Sequence, residues 1–251
     1  MKNILILALI MSIYSYPPPG YKLIWSDEFN GNSIDRSKWG FEYGGEGWGN
    51  NELQHYTDRG DNAYVYDGVL HIRAKKEYYN GNYYTSARMV TKGKFDFKYG
   101  YVEANIALPR GNGIWPAFWM LGNNIDSVGW PSCGEIDILE AVNKENKIYS
   151  TCHWNSNGGH VQYGKNSEYF DITQFHIYQL WWDSEHIKAG VDGKVFYDIL
   201  IKDGTGGTGS LHNRFYLLLN VAVGGSWPGY NIDDSQFPNE MKVDYIRVYQ
   251  P

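Results

Sequence analysis

The sequence predicts an all-β fold made of two stacked antiparallel sheets. Three observations carry that expectation. Short segments in which apolar and polar residues alternate recur along the chain, and outside the first sixteen residues none sustains a helical period. The composition also favours strands and turns, with 17% aromatic residues, 29 Gly and only 20% charged residues. Aromatic side chains suit a pleated, half-buried surface, and glycine suits the turns between short strands. At 251 residues the chain can bury one large core, and sandwiches of about 200 to 250 residues fold as single domains.

Taken in order, residues 1–16 read as a signal peptide: Lys2 precedes an apolar run from Ile4 to Ile13, followed by small or polar residues and three prolines. Cleavage is expected after Ser15 or Tyr16, leaving residues 17–251 as one secreted domain. The run is short for a membrane span, which needs about 20 apolar residues, so no membrane association is expected once it is removed. Alternation then marks strands at residues 63–74, 84–91, 101–108, 174–182, 215–223 and 241–249. In the stretch YVEANIAL, Val102, Ala104, Ile106 and Leu108 take one face and Glu103 and Asn105 the other, as a half-buried strand requires. Residues 188–197 place Asp192-Gly193 between two apolar runs, a dipeptide that favours a type I′ hairpin turn. About a dozen strands at such spacing imply two stacked sheets.

A net charge of −6, with no Lys/Arg cluster, excludes a nucleic-acid partner and is compatible with a neutral polymer. The 22 Tyr and 10 Trp either fill a sandwich core or present flat faces and polar edges to sugar rings. Cys133 and Cys152 are the only cysteines. Period-2 alternation from Glu135 and His153 puts them on opposite faces of the sheet, which favours two unpaired thiols over a bridge.

Residues 134–142 read GEIDILEAV. On a helix the three acids fall at about 0°, 200° and 140°, so Glu135 would point away from the others. On a regular strand Glu135 and Asp137 share a face and Glu140 takes the opposite one. One β-bulge between Asp137 and Glu140 returns Glu140 to the face of the other two. Crowded acids hold a proton to higher pH than usual, which suits a general acid, and paired carboxyls are the machinery of glycoside hydrolysis. A solvated acidic edge is the plain alternative. A calcium loop lacks the required glycine and terminal glutamate spacing.

GEIDILE resembles the E-x-D-x-x-E signature of glycoside hydrolase family 16, in the bulged form of its laminarinase-like, endo-1,3-β-glucanase branch. The likeness extends over nearly the whole mature chain: WSDEFNG at residues 25–31, WGNNELQHY at 48–56, KYGYVEANIALPRGNGIWPAFWMLG at 98–122, NVAVGGSWPG at 220–229 and VDYIRVYQ at 243–250. It implies an all-β jelly-roll sandwich with a concave substrate groove. It also implies secreted, endo-acting cleavage of β-1,3-glucan with retention of configuration, through a covalent glycosyl-enzyme and without a catalytic cofactor, by a monomer.

Carried over by position, the resemblance makes Glu135 the nucleophile, Asp137 its hydrogen-bonded helper and Glu140 the acid/base. It makes His153 a groove histidine, Trp115 and Trp119 sugar-stacking rings, Asn51 and Arg88 partners of glucose hydroxyls, and Trp227 a groove edge. It implies a structural calcium ion away from the groove at Glu28, Gly68, through its carbonyl, and Asp244. Competing readings are a mixed-linkage β-1,3-1,4-glucanase, a transglycosylase that passes the same intermediate to a sugar, and a non-catalytic β-glucan-binding protein. Glu135 and Glu140 weigh against the last.

Overall fold

The computed structural model describes residues 17–251, so the expected signal peptide lies outside the described residues. Among the described residues seventeen strands follow one another: β1 Lys22–Asp27, β2 Gly40–Glu42, β3 Gln54–Tyr56, β4 Ala63–Tyr66, β5 Val69–Tyr79, β6 Asn82–Ser86, β7 Arg88–Val90, β8 Gly100–Ala107 and β9 Ile114–Gly122. Then come β10 Glu135–Glu140, β11 Tyr149–Ser156, β12 Gly159–Asn166, β13 His176–Trp182, β14 His186–Val191, β15 Lys194–Leu200, β16 Phe215–Val223 and β17 Asn239–Gln250. The α-helix among the described residues is the four-residue turn Ile125–Val128.

One sheet runs β15-β14-β13-β8-β17-β5-β6-β3, with β1 on β17 and β4 on β5; the other runs β12-β11-β10-β9-β16-β7-β2. Pairing is antiparallel throughout except between β3 and β6. Alternation decides which side chains enter the space between the sheets. On β16, Phe215, Leu217, Leu219, Val221 and Val223 join the main core. Tyr216 and Leu218 point the other way, into a smaller cluster with Val90, Leu121 and Cys133. That strand is therefore buried on both faces.

Three strand expectations are corrected. The segment 63–74 is two strands folded at Asp67-Gly68, where both residues take positive φ (51° and 74°). Asp-Gly tolerates that geometry, so the local turn overrides the continuous alternation. The segment 84–91 divides at Ala87, β6 joining one sheet and β7 the other. On β8 the polar face is covered as well: Glu103 is buried and accepts a hydrogen bond from the Tyr101 hydroxyl at 2.9 Å. The hairpin at Asp192-Gly193 forms as expected, with φ of 48° and 84°. Both cysteines are free thiols on opposite faces, Cys152 in the main core and Cys133 in the smaller cluster.

Candidate active site

Strand β10 lies between β9 and β11, and its register slips on both sides. Glu135 faces Leu121 and His153, whereas Glu140 faces Ala117 and Tyr149, with the irregularity after Asp137. The extra residue is visible in the packing: adjacent Ile138 and Leu139 both enter the main core, beside Ile136 and Ala141. Glu135, Asp137 and Glu140 consequently share the opposite face. They line a cleft of about 850 Å³ together with Trp115, Ala117, Trp119 and Leu121 of β9. A volume of that size accommodates a ligand of several rings.

Each acid has its own partner. Trp130 Nε1 donates to Glu135 Oε2 at 2.7 Å, and Trp115 Nε1 donates to Glu140 Oε1 at 3.0 Å. His153 Nε2 sits 3.1 Å from Asp137 Oδ2 and 3.9 Å from Glu135 Oε1. Asp137 is 4% exposed, the most enclosed of the three. Burial is the main reason that all three titrate high. It pushes Glu135 up to about 8, helped by the Asp137 charge and opposed by His153. It raises Asp137 against the hydrogen bond with Glu135, and it raises Glu140 well above the usual carboxylate range, helped by Asp137 and Glu135. Carboxyls this close cannot all ionise together, so the cluster holds protons at neutral pH.

Farther along the cleft, the Arg88 guanidinium stacks between the rings of Trp48 and Trp119, 4.8 and 4.6 Å from their centroids, and pairs with Glu42. Trp119 Nε1 donates to Asn220 Oδ1 at 2.7 Å, and Asn220 Nδ2 donates to the Tyr56 hydroxyl at 3.0 Å. Glu52 accepts from Asn50, Gln54 and that same tyrosine, and burial raises its pKa. At the other end Trp227 meets Trp115 edge-on at 5.4 Å.

The family model described as glycosyl hydrolases family 16 matches residues 50–247. The chain belongs to glycosyl hydrolase family 16. It is 44% identical to the clotting factor G alpha subunit of Tachypleus tridentatus over 92% of its own length, and spans 34% of that protein. It is 40% identical to a beta-glucanase of Rhodothermus marinus, covering 92% of this chain and 86% of the other. The X-ray structure of the laminarinase from Rhodothermus marinus superposes with a TM-score of 0.86 at 41% identity, over 92% of this chain and 97% of that one.

Of the residues singled out in the sequence of this family 16 protein, Glu135, Asp137, Glu140, Arg88, Trp115, Trp119, His153 and Trp227 line this same cleft. Asn51 does not. Its φ of 56° turns the side chain aside to donate to the Ser226 hydroxyl at 3.1 Å, and its neighbours Asn50 and Glu52 line the cleft instead. Trp48, Trp130, His160 and Asn220 also line it and were not anticipated. His160 could have been found: Asn157-Gly158 is a turn signal that folds β12 back on β11 and sets Asn155 opposite His160.

The three expected calcium positions lie outside the cleft. Their segments converge, since Leu70 pairs with Val243 and Asp27 with Ile246, and β17 is irregular at Asp244. The two Glu28 carboxylate oxygens accept from Arg247 at 3.0 and 2.7 Å, which leaves its main-chain carbonyl as the less encumbered oxygen. Asp244 gives Oδ2 to Asn105, leaving Oδ1. Carbonyl and carboxylate oxygens are the donors that calcium takes, and in that reduced form the set fits.

Proposed function

We propose that the protein is an endo-acting β-1,3-glucan hydrolase that retains configuration, with Glu135 as nucleophile and Glu140 as acid/base. The observation that carries this reading is the bulge that sets both glutamates, with Asp137 between them, on the cleft face of one strand.

The chemistry follows from the unequal surroundings of the acids. Burial and the neighbouring Asp137 and Glu135 charges keep a proton on Glu140, which gives it to the glycosidic oxygen as the bond to the anomeric carbon breaks. The Glu135 carboxylate attacks that carbon and forms a glycosyl ester. Glu140, now ionised, takes a proton from water; the water oxygen attacks the anomeric carbon, and Glu135 leaves as carboxylate. Trp115 and Trp119 offer ring faces to sugars on either side, and the Arg88 and Glu52 groups offer hydrogen bonds to hydroxyls.

Two further elements belong to the reading. Residues 1–16 direct export, which the charged start and apolar run support. A calcium ion held by the Glu28 and Gly68 carbonyls and Asp244 ties the β1 end to β17. The ion takes no part in the reaction.

The test is reducing-end release by the protein lacking residues 1–16, from laminarin, lichenan, xyloglucan and carrageenan in parallel. Strong release from laminarin as oligosaccharides is expected. Binding to laminarin with no release from any of the four would overturn the hydrolase reading.

A further inference from the structure

We propose that Asp137, His153 and His160 form a proton wire that loads and unloads the buried Asp137 carboxyl from the solvent edge of the cleft. His153 bridges the two ends. Its Nε2 is 3.1 Å from Asp137 Oδ2, and its Nδ1 is 2.9 Å from His160 Nε2. The two imidazoles lie nearly parallel, 15° apart with centroids at 5.1 Å, and the Trp130 ring packs on His160 at 4.7 Å. His160 is exposed on β12, and its Nδ1 has no protein partner among the described residues. Among the described residues, neither histidine donates to a backbone carbonyl in place of these contacts.

The hydrogen bonds balance in two arrangements. With Asp137 ionised, His153 Nε2–H donates to it, and His153 Nδ1 accepts from His160 Nε2–H. When one proton enters at His160 Nδ1, the Nε2 proton of His160 passes to His153 Nδ1, and the Nε2 proton of His153 passes to Asp137. The result is a neutral carboxyl that donates to His153 Nε2, with a donor at every junction reversed. The return sequence delivers one proton to water.

The proposed reaction, on which this inference rests, gives the wire work to do. While Glu135 is ionised, a protonated Asp137 beside it avoids two adjacent negative charges. In the glycosyl ester the negative charge has moved from Glu135, which shares a hydrogen bond with Asp137, to Glu140, so the Asp137 proton is held differently in the two states and needs a route in and out. Asp137 is only 4% exposed in the open cleft, and a bound sugar would cover what remains. The charged or titratable groups facing it are Glu135 and Glu140 from its own strand and His153 from β11, with Arg88 acting on Glu135 from farther along the cleft. His160 acts through His153 and is a positioning residue.

Nitrogen-15 NMR of the imidazoles, followed against pH in the full mature chain, tests the wire without needing turnover. His153 should change from the Nε2–H to the Nδ1–H form as Asp137 takes its proton, and Asp137→Asn should abolish that change. A single His153 tautomer throughout would overturn the proposal. In kinetics, His160→Phe keeps the ring stack but carries no proton and should lower kcat on the order of tenfold with KM unchanged. His160→Ala should regain rate when free imidazole is added. Unchanged kcat in His160→Phe, or no response of His160→Ala to imidazole, would also reject it. Inactivity of the parent protein on every glucan would instead reject the hydrolase reading and leave the NMR result to judge the wire.

Discussion

Trp115 Nε1 donates to Glu140 Oε1 at 3.0 Å, so a ring expected only to stack on sugar also holds in place the carboxyl proposed as acid/base. The bond favours the ionised carboxylate and opposes the burial that raises its pKa. Trp115→Phe keeps a ring beside Trp227 and removes the donor. Its Glu140 should therefore hold the proton to still higher pH, moving the alkaline limb of kcat/KM upward by up to about one pH unit. A limb that stayed in place would show that the bond does not govern this titration.

Glu135→Gln keeps the shape of the proposed nucleophile and its Trp130 contact but cannot form the glycosyl ester. Turnover on laminarin should fall on the order of 10⁴-fold or more, with circular dichroism unchanged. Near-normal turnover would remove Glu135 from the nucleophile's role.

The acid face was legible because sequence spacing and strand geometry leave few options. Offsets that disagree with both helix and regular strand call for a bulge, and Ile138 and Leu139 entering the core together are its physical trace. The unpaired thiols followed from the same alternation. Periodicity failed where a turn needed only local chemistry, as at Asp67-Gly68, and positional resemblance did not decide between loop neighbours that compete for one direction. Asn50, Asn51 and Glu52 are adjacent, and a positive φ at Asn51 decides which of them enter the cleft. Trp130 was hidden for a different reason: it reaches Glu135 from an irregular segment, where no period assigns a side-chain direction.

The crowded acids give the free protein a pH-dependent stability of definite sign. The folded-state pKa of Glu135 lies near 8, above its ordinary value of 4.5, so the folded chain holds more protons than the unfolded chain across that interval. Stability is then fully present below the lower value and falls as pH rises through the upper one. Asp137 and Glu140 act in the same direction. Thermal melts of Glu135→Gln should lie several degrees above the parent at about pH 8, with the margin shrinking toward about pH 5, given roughly 2–4 °C per kcal/mol. A margin independent of pH would contradict the assignment.

Chelation separates stability from chemistry. If calcium joins the Glu28 and Gly68 carbonyls to Asp244, its removal loosens the junction of β1, the β4–β5 turn and β17, while the cleft on the other sheet keeps its residues. Excess chelator should lower the melting temperature by roughly 5–10 °C and leave the initial rate at low temperature unchanged. Coincident melting curves with and without chelator would show that the Arg247–Glu28 pair and the strand pairing suffice there.

Gly122 ends β9 beside the segment that leads into Glu135, and its amide donates to the Gly134 carbonyl at 3.1 Å. A Cβ built on it would lie 2.0 Å from the main-chain oxygen of Cys133. That oxygen belongs to backbone, so the clash cannot be relieved by a side-chain rotation. Gly122→Ala must shift Cys133 and Gly134, and with them the start of β10. The cost should be about 1–3 kcal/mol, as for other forced insertions into packed structure. Because the displaced backbone carries Glu135 directly, kcat should fall by more than the loss of folded protein explains. Active-site titration against a denaturation curve separates the two contributions, and a variant that loses stability but keeps full turnover per folded molecule would show that the start of β10 is positioned by β11 alone.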